Sequence, residues 1–498
     1  MSALGIDVGT SSCKGLVLTQ GGKIIAEHAL NYAQRVQVAN DTAQIPAEIF
    51  RDGVFEVIAT LAEKVDQVDP VRALAFSTHG ETLIPVGEDE QAITPAILSM
   101  DRRCVQESVQ LEAAIGAAEF YRITGTPMHS QYPMPKIMWL KKHHPEIADK
   151  VRRYCSTQDY LHGTLGAPGY VDYSLASRFG GLDVYRKQWS GKILECAGVG
   201  KNMLSEPVPA GTAIGTIPAE LAKKLHLREG VQIVAGGHDQ PCASLGMGAQ
   251  EQAVTISAGS YECAALTTAK PLNDERGERY GLNSYCHVLK DQYVTLAFFA
   301  SGLMVQWFLD RFCRYESERA KQEKRDIHEV MEEMMPDRPS GICMTPHVYG
   351  SMNPEWNENA RTTISGLSAL DDTASLYRAA LEGTACELDL NIRVLEQLSG
   401  RISKITISGG GTRSERWMQM RSDITGRKID CFMDNIDASN LGAAMLAGIG
   451  AGMFTDAQSA WNAVNITMKR YEPAAVNDYK EQKAAYLKLH RRDLFAAQ

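Results

Sequence analysis

The sequence predicts a mixed α/β protein built as two similar halves around a cleft. Three observations carry that expectation. Each half opens with a strand, a small polar turn and a second strand. Each half also contains a buried apolar strand that ends in a Gly-containing polar loop. The chain, at 498 residues, is longer than one core ordinarily supports.

In order, Leu4–Val8 reads as a strand, followed by the turn Gly9–Ser12, a strand Lys14–Thr19, the turn Gln20–Gly22 and a strand Lys23–His28. Pro46–Val65 carries apolar residues at helical spacing, with Pro in the first turn. Ala73–Ser77 is a buried strand ending in Thr78-His79-Gly80-Glu81, and Gln232–Ala235 a later one leading into Asp239. The second half repeats the theme with strands Ala253–Ser257 and Glu262–Thr268 around Ala258-Gly259-Ser260. A strand Thr295–Ala300, a helix Leu303–Arg314, a long helix Asp372–Leu398 and a strand Ile402–Ile407 follow. The loop Ser408–Thr412 then leads into a helix from Ser414. The repeat divides the chain into 1–247 and 248–498, joined by a tight hinge near Gly248.

Composition excludes several classes. A net charge of -9, with basic and acidic residues interleaved, leaves no basic face for nucleic acid. The most basic stretch, Lys136–Lys142, holds three lysines and reads as a solvated helix face as readily as a binding surface. No charged leader precedes the first strand, so secretion is not expected. The longest apolar run, near Ala297–Val305, is too short to span a bilayer. Eleven cysteines, an odd number without any Cys-x-x-Cys pair, fit reduced and mostly buried thiols of a cytoplasmic protein, and neither a disulfide framework nor a structural zinc site is expected.

Four segments carry candidate chemistry. Asp7 ends a strand and is followed by Gly9, Thr10 and Ser11. Their backbone N–H and hydroxyl groups can meet phosphate oxygens, and the carboxylate suits magnesium. A hairpin with an Asx or Ser/Thr turn would look the same. Gly259 and Ser260 occupy the equivalent turn of the second half. Gly409, Gly410 and Gly411 remove every Cβ from a strand-to-helix loop ending at Ser414, so a flat ring or a phosphate can lie against the backbone. Neither the dinucleotide fingerprint nor the Gly-Lys-Ser/Thr phosphate loop is present. Asp239, at a strand end, can take the proton of a substrate hydroxyl while Gln240 orients it, or can simply cap the next turn.

Together these segments resemble the FGGY carbohydrate kinases, a branch of the actin/hexokinase/heat-shock ATPase superfamily. The most specific match is the stretch from Gly409 to Asp423, similar to the family's adenosine-side motif. The Pro133-x-x-Lys136-x-x-Trp139 segment, Gln158–Leu161, Asp172–Arg178, Ala379–Gly383 and Leu441–Ala444 follow in the family's order. The resemblance implies two ribonuclease-H-like, actin-like ATPase domains flanking a catalytic cleft. The N-terminal domain would bind sugar and the C-terminal one ATP. Asp239 would be the general base and, with Asp7, would attend Mg2+. Gly9, Thr10, Ser11, Gly259, Ser260, Gly409, Gly410, Gly411 and Ser414 would meet the nucleotide and its phosphates.

Substrate contacts are expected from His79, Glu81, Asp101, Gln131 and Gln240, with an ion pair to a nearby Arg an equally simple role for Asp101. Gln131 departs from the aromatic, small or Met residue usual at its position. Glycerol kinases carry an Arg-Glu pair where this chain has Gly80-Glu81, a loss that should leave room for a larger acceptor. Xylulose kinases show a His in the same segment, which His79 could match, with a loop histidine that meets no ligand as the alternative. The expected acceptor is a four- to six-carbon ketose such as a pentulose. The alternatives are a sugar acid, a polyol or a signalling furanone, or a retired kinase that only senses sugar, against which the retention of Asp239 argues. The expected partner is this small molecule alone, with neither nucleic acid nor membrane, and a homodimer left open.

Overall fold

A computed structural model of the chain describes residues 1–495, with side chains through Arg491. The first sheet has six strands in the order Ala213–Thr216, Gln232–His238, Val71–Thr78, Ser2–Val8, Ser12–Thr19, Ile24–Asn31. Its last three form the predicted antiparallel meander, and the next two run parallel to the first strand. The second sheet has seven strands and repeats this core. Tyr293–Ala300, Tyr261–Thr268 and Ala253–Ala258 form the meander, and Lys404–Gly409 and Ile429–Phe432 are the parallel pair. Edge strands Asn283–Cys286 and Met468–Tyr471 complete it. This duplicated order is the ribonuclease-H-like arrangement that the resemblance implied.

Register explains where a site can form. In the first sheet Val8 pairs with Thr78, and Thr78 with His238, so three parallel strands end level with one another. In the second, Ala258 pairs with Gly409. Loops leaving the carboxyl ends of parallel strands are where α/β sheets bind ligands.

Two helices lock the halves together. Helix Asp239–Gly246 follows the first sheet in sequence but packs against the second, where Thr255 Oγ1 bonds Ser244 Oγ at 2.8 Å. Helix Ala438–Gly450 does the reverse. It belongs to the second half in sequence, yet Leu441, Ala444, Met445 and Ala447 join a buried cluster with Ala3, Leu16, Ala75 and Val234 of the first sheet. Where the two helices cross, a Cβ on Gly442 would stand 1.9 Å from the carbonyl oxygen of Cys242. A backbone atom cannot rotate away, so only glycine fits. Gly442→Ala is therefore expected to destabilise the protein by about 1–3 kcal/mol. A fall in the urea midpoint checks this, and an unchanged midpoint would mean that the helices separate without loss.

Residues 84–210 insert short strands and helices between the two parallel strands of the first half. Lys136 lies there, in helix Pro133–His143, and corrects the expectation of a solvated face. It is 0% exposed, and its ammonium donates to the backbone oxygens of Glu81 (2.6 Å) and Leu98 (2.8 Å). Burial lowers its pKa to about 8. Lys141 and Lys142 are exposed as expected. All eleven cysteines are free, and only Cys196 is exposed. Among the described residues no helix is long and apolar enough to cross a membrane.

Candidate active site

A cavity of about 720 Å³ opens between the sheets, lined by Asp7, Lys14, Asp239, Gln240, Ser257, Ala258, Gly259, Ser408, Gly409 and the segment 435–440. A second, of about 570 Å³, shares Ala258 and Gly259 and continues along Gly410, Gly411, Ser414, Trp417, Tyr377 and His328. The two strand-end turns of the second sheet thus form a common wall of both spaces. Gly409 adopts φ +119°, and a Cβ there would meet Ala258 O at 2.4 Å, which explains the start of the glycine run. Ser414 caps helix Glu415–Thr425 by accepting from Trp417 N at 3.1 Å. Gly302 N donates to Gly259 O (3.1 Å) and Leu303 N to Ser260 O (2.8 Å), which fixes the other turn. Gly9, Thr10 and Ser11 flank Asp7 rather than line the cavity. Tyr32 Oη secures their turn from 2.7 Å to Gly9 O.

Asp7 receives hydrogen bonds from Ser77 Oγ (2.7 Å), and its own N–H donates to Asn440 Oδ1 (2.6 Å) across the two halves. Burial, then the neighbouring Asp437 charge, pushes its carboxyl above the usual range. Asp437, the N-cap of the crossing helix, pairs with Lys14 at 2.9 Å. Sequence reasoning passed over Lys14. Its signal was the register opposite Asp7, visible only once the hairpin is drawn.

Asp239 sits at the first turn of its helix. Its Oδ1 is buried and accepts no hydrogen bond, while the side chain as a whole keeps 35% of its surface open to the cleft. His238 Nε2 approaches Oδ1 to 3.2 Å, but burial lowers the His238 pKa to about 3, so this is a contact with a neutral ring. Burial, then the charges of Asp7 and Glu81, pushes Asp239 up to about 8. Two carboxylates facing one cavity, one with an oxygen that accepts no hydrogen bond, are hard oxygen donors of the kind magnesium takes. Asp7 and Asp239 fit that ion.

The sign of the Asp239 shift gives a prediction. A folded pKa above the ordinary 3.8 means that the native state holds the proton more tightly. Its contribution is present at low pH and is lost as pH rises through about 8. The nucleotide-free protein should therefore melt at a lower temperature at pH 8 than at pH 5.5, with a shallow slope because the open cleft screens the charge. Asp239→Asn should flatten part of it. Equal slopes would show that Asp239 titrates as an ordinary carboxyl.

Behind Asp239 lies a polar pocket. Arg178 Nε donates to Glu81 Oε1 at 2.5 Å, and Arg178 Nη1 to Asn283 Oδ1 at 3.1 Å. The guanidinium lies 5.0 Å from the Tyr285 ring and 5.3 Å from that of Tyr132. Burial, the largest influence, would raise Glu81, but Arg178, His238 and Lys136 together outweigh it and hold the carboxylate below its ordinary range. The vacancy expected at Gly80 is not there. A Cβ at this position would stand 3.0 Å from His238 Nε2 and 3.3 Å from Arg178 Cγ, so these residues fill it. The missing Arg-Glu pair is rebuilt with an arginine from a distant segment.

The remaining candidates do not converge on this pocket as freely as expected. His79 Nδ1 donates to Val8 O (2.9 Å) and Nε2 faces Thr157 Oγ1 (3.2 Å), so both nitrogens serve the protein. Asp101 is taken up by Arg103 at 2.7 Å and by Ala43 N at 2.7 Å, the ion-pair alternative. Gln131 is half-buried, and its N–H donates to His129 Nδ1 at 3.1 Å.

The chain matches the sequence models of the FGGY family of carbohydrate kinases, the N-terminal domain over residues 2–246 and the C-terminal domain over 254–451. It belongs to that family, and is a carbohydrate kinase with ATP as co-substrate. A gluconokinase of Bacillus subtilis (strain 168) is 27% identical over 98% of this chain and 95% of its own. A xylulose kinase of the same strain is 26% identical over 91% of this chain and 88% of its own. Among solved structures, a ligand-bound xylulose kinase from Lactobacillus acidophilus superposes with a TM-score of 0.87 at 22% identity, covering 99% of this chain and 98% of its own.

Proposed function

We propose that the protein transfers the γ-phosphoryl group of ATP to a hydroxyl of a neutral four- to six-carbon ketose, with Asp239 as general base. One observation carries the reading. Asp239 stands where the cavity walled by Gly259 and Gly409 meets the pocket of Glu81, Arg178 and His238. Phosphates on one side and an acceptor hydroxyl on the other would then share one carboxylate. Positioning and charge stabilisation are the main work of a phosphoryl-transfer site.

Gly259 and the 409–411 loop would cradle the phosphates, and Lys14 would offset their charge. Gln240 would orient the acceptor hydroxyl as Asp239 takes its proton. Asp7 and Asp239 would hold magnesium, which when bound neutralises phosphate charge. The domain division at 247/248 and a cytoplasmic location belong to the same reading.

The commitment of Arg178 to Glu81 favours a neutral acceptor, because no charge of that guanidinium is left for a carboxylate. A sugar acid is the second reading, supported by the gluconokinase relative. A coupled ADP-release screen across ketoses, aldoses, polyols and aldonates separates them. The highest kcat/KM is expected with a pentulose. A preference for gluconate would replace the first reading with the second, and turnover with none would exclude both.

A further inference from the structure

His347, Glu387 and His490 form a cluster outside both cavities, and nothing in the kinase reaction requires it. His347 follows the short strand Cys343–Met344, Glu387 lies in the long helix Thr373–Ser399, and His490 in the last helix, Lys480–Phe495. Their ligand atoms all lie within 4.8 Å of one another. His490 Nε2 is 3.5 Å from Glu387 Oε1, and His347 Nε2 is 3.9 Å from Glu387 Oε2. All three are deeply buried, at 2%, 1% and 3% exposure respectively. Among the described residues it is the one group of this composition and spacing.

We propose that these three residues bind a divalent transition-metal ion of the zinc type, which ties the last helix to the second half of the chain. Two imidazole nitrogens and one carboxylate are a donor set suited to zinc. Zinc bonds of 2.0–2.2 Å place tetrahedral ligand atoms about 3.3 Å apart, and one ligand atom from each of the three residues already lies within 4.8 Å of the other two. The imidazole planes stand 75° apart with centroids at 5.1 Å, so the rings meet at an angle rather than face to face. Tyr486 Oη hydrogen-bonds Glu387 Oε2, the kind of outer partner that orients a ligating carboxylate. Burying two imidazoles around one carboxylate forfeits hydration, and coordination to a shared cation recovers it. A water completes the fourth position. Neither catalytic cavity includes these residues, so the role is structural, with metal affinity coupled to folding.

The experiment uses the full chain without an affinity tag, grown with zinc and freed of loose metal by gel filtration. Mass spectrometry of the metal content should find near one zinc per chain in the wild type. His347→Gln and His490→Gln should each retain below about a tenth of that. After chelation, adding equimolar zinc chloride should raise the wild-type melting temperature by at least about 2 °C and leave the variants unmoved. Absence of both zinc and a zinc-induced shift in the wild type would overturn the proposal. It would leave the cluster a metal-free group of two imidazoles and a carboxylate. Variants that keep wild-type zinc would overturn it equally, by placing the metal elsewhere. Should the variants fail to fold, cobalt substitution of the wild type decides. The intense visible bands of four-coordinate cobalt are expected, and only weak octahedral absorption would refute the site.

Discussion

Asp239→Asn is expected to lower kcat by about 10²–10⁴ while ATP still binds, the range over which general bases act. The substitution preserves shape and removes the ability to take a proton. Asp239 begins the helix Asp239–Gly246, whose backbone the amide leaves in place. It also removes one of the charges crowded with Asp7 and Glu81, so the variant should fold at least as well as the parent above neutral pH. A coupled assay with an independent ATP titration checks both parts. Near-normal turnover would move the base elsewhere. A joint collapse of turnover and ATP affinity would make Asp239 chiefly a metal and phosphate ligand.

Arg421→Met should produce the largest loss of stability, about 3–5 kcal/mol, the range for removing one partner of a buried ion pair. Arg421 is 0% and Glu262 1% exposed, and the guanidinium reaches Glu262 Oε2 at 3.0 Å and Ser301 Oγ at 3.0 Å. It also lies 4.3 Å from the Trp417 ring. Glu262 and Trp417 both line the second cavity, so the variant should bind ATP more weakly as well. Replacing Glu262 with Leu in the same chain should recover much of the stability but not the ATP affinity. Chemical denaturation and ATP titration of the single and double variants separate the two effects. Failure of the double variant to recover stability would place the loss in packing rather than in the stranded charge.

The elements that sequence predicted well are those stabilised locally. Hairpins such as 2–19 and the long helix Thr373–Ser399 declare themselves by turn residues and apolar spacing, and their ends shifted by one or two residues. Residues 84–210 were opaque, because strands as short as Ile84–Val86 owe their existence to partners far away in sequence, here Arg153–Cys155. Lys136 was misread for the same reason. The carbonyls that take its charge belong to Glu81 and Leu98, on other elements. Asp239, Gln240, Gly259 and Gly409 were legible because strand-end loops with glycine and one carboxylate are a local pattern. Arg178 stood inside a segment noted for its resemblance but carried no assigned role, since only the folded chain brings it to Glu81. Asp101, by contrast, had its partner two residues away, and the simpler reading describes it.

The exchange of helices between the halves bears on how the chain is made. The first 250 residues leave the ribosome with their sheet complete in sequence, yet one face lacks the cover that Leu441, Ala444 and Met445 provide. At about 5–20 residues per second, roughly 10–40 seconds pass before that helix emerges. Through that interval Ala3, Leu16, Ala75 and Val234 stay wet or borrowed, so the nascent first half is a natural client for chaperones. The same half expressed alone would be insoluble unless residues 438–450 were supplied with it.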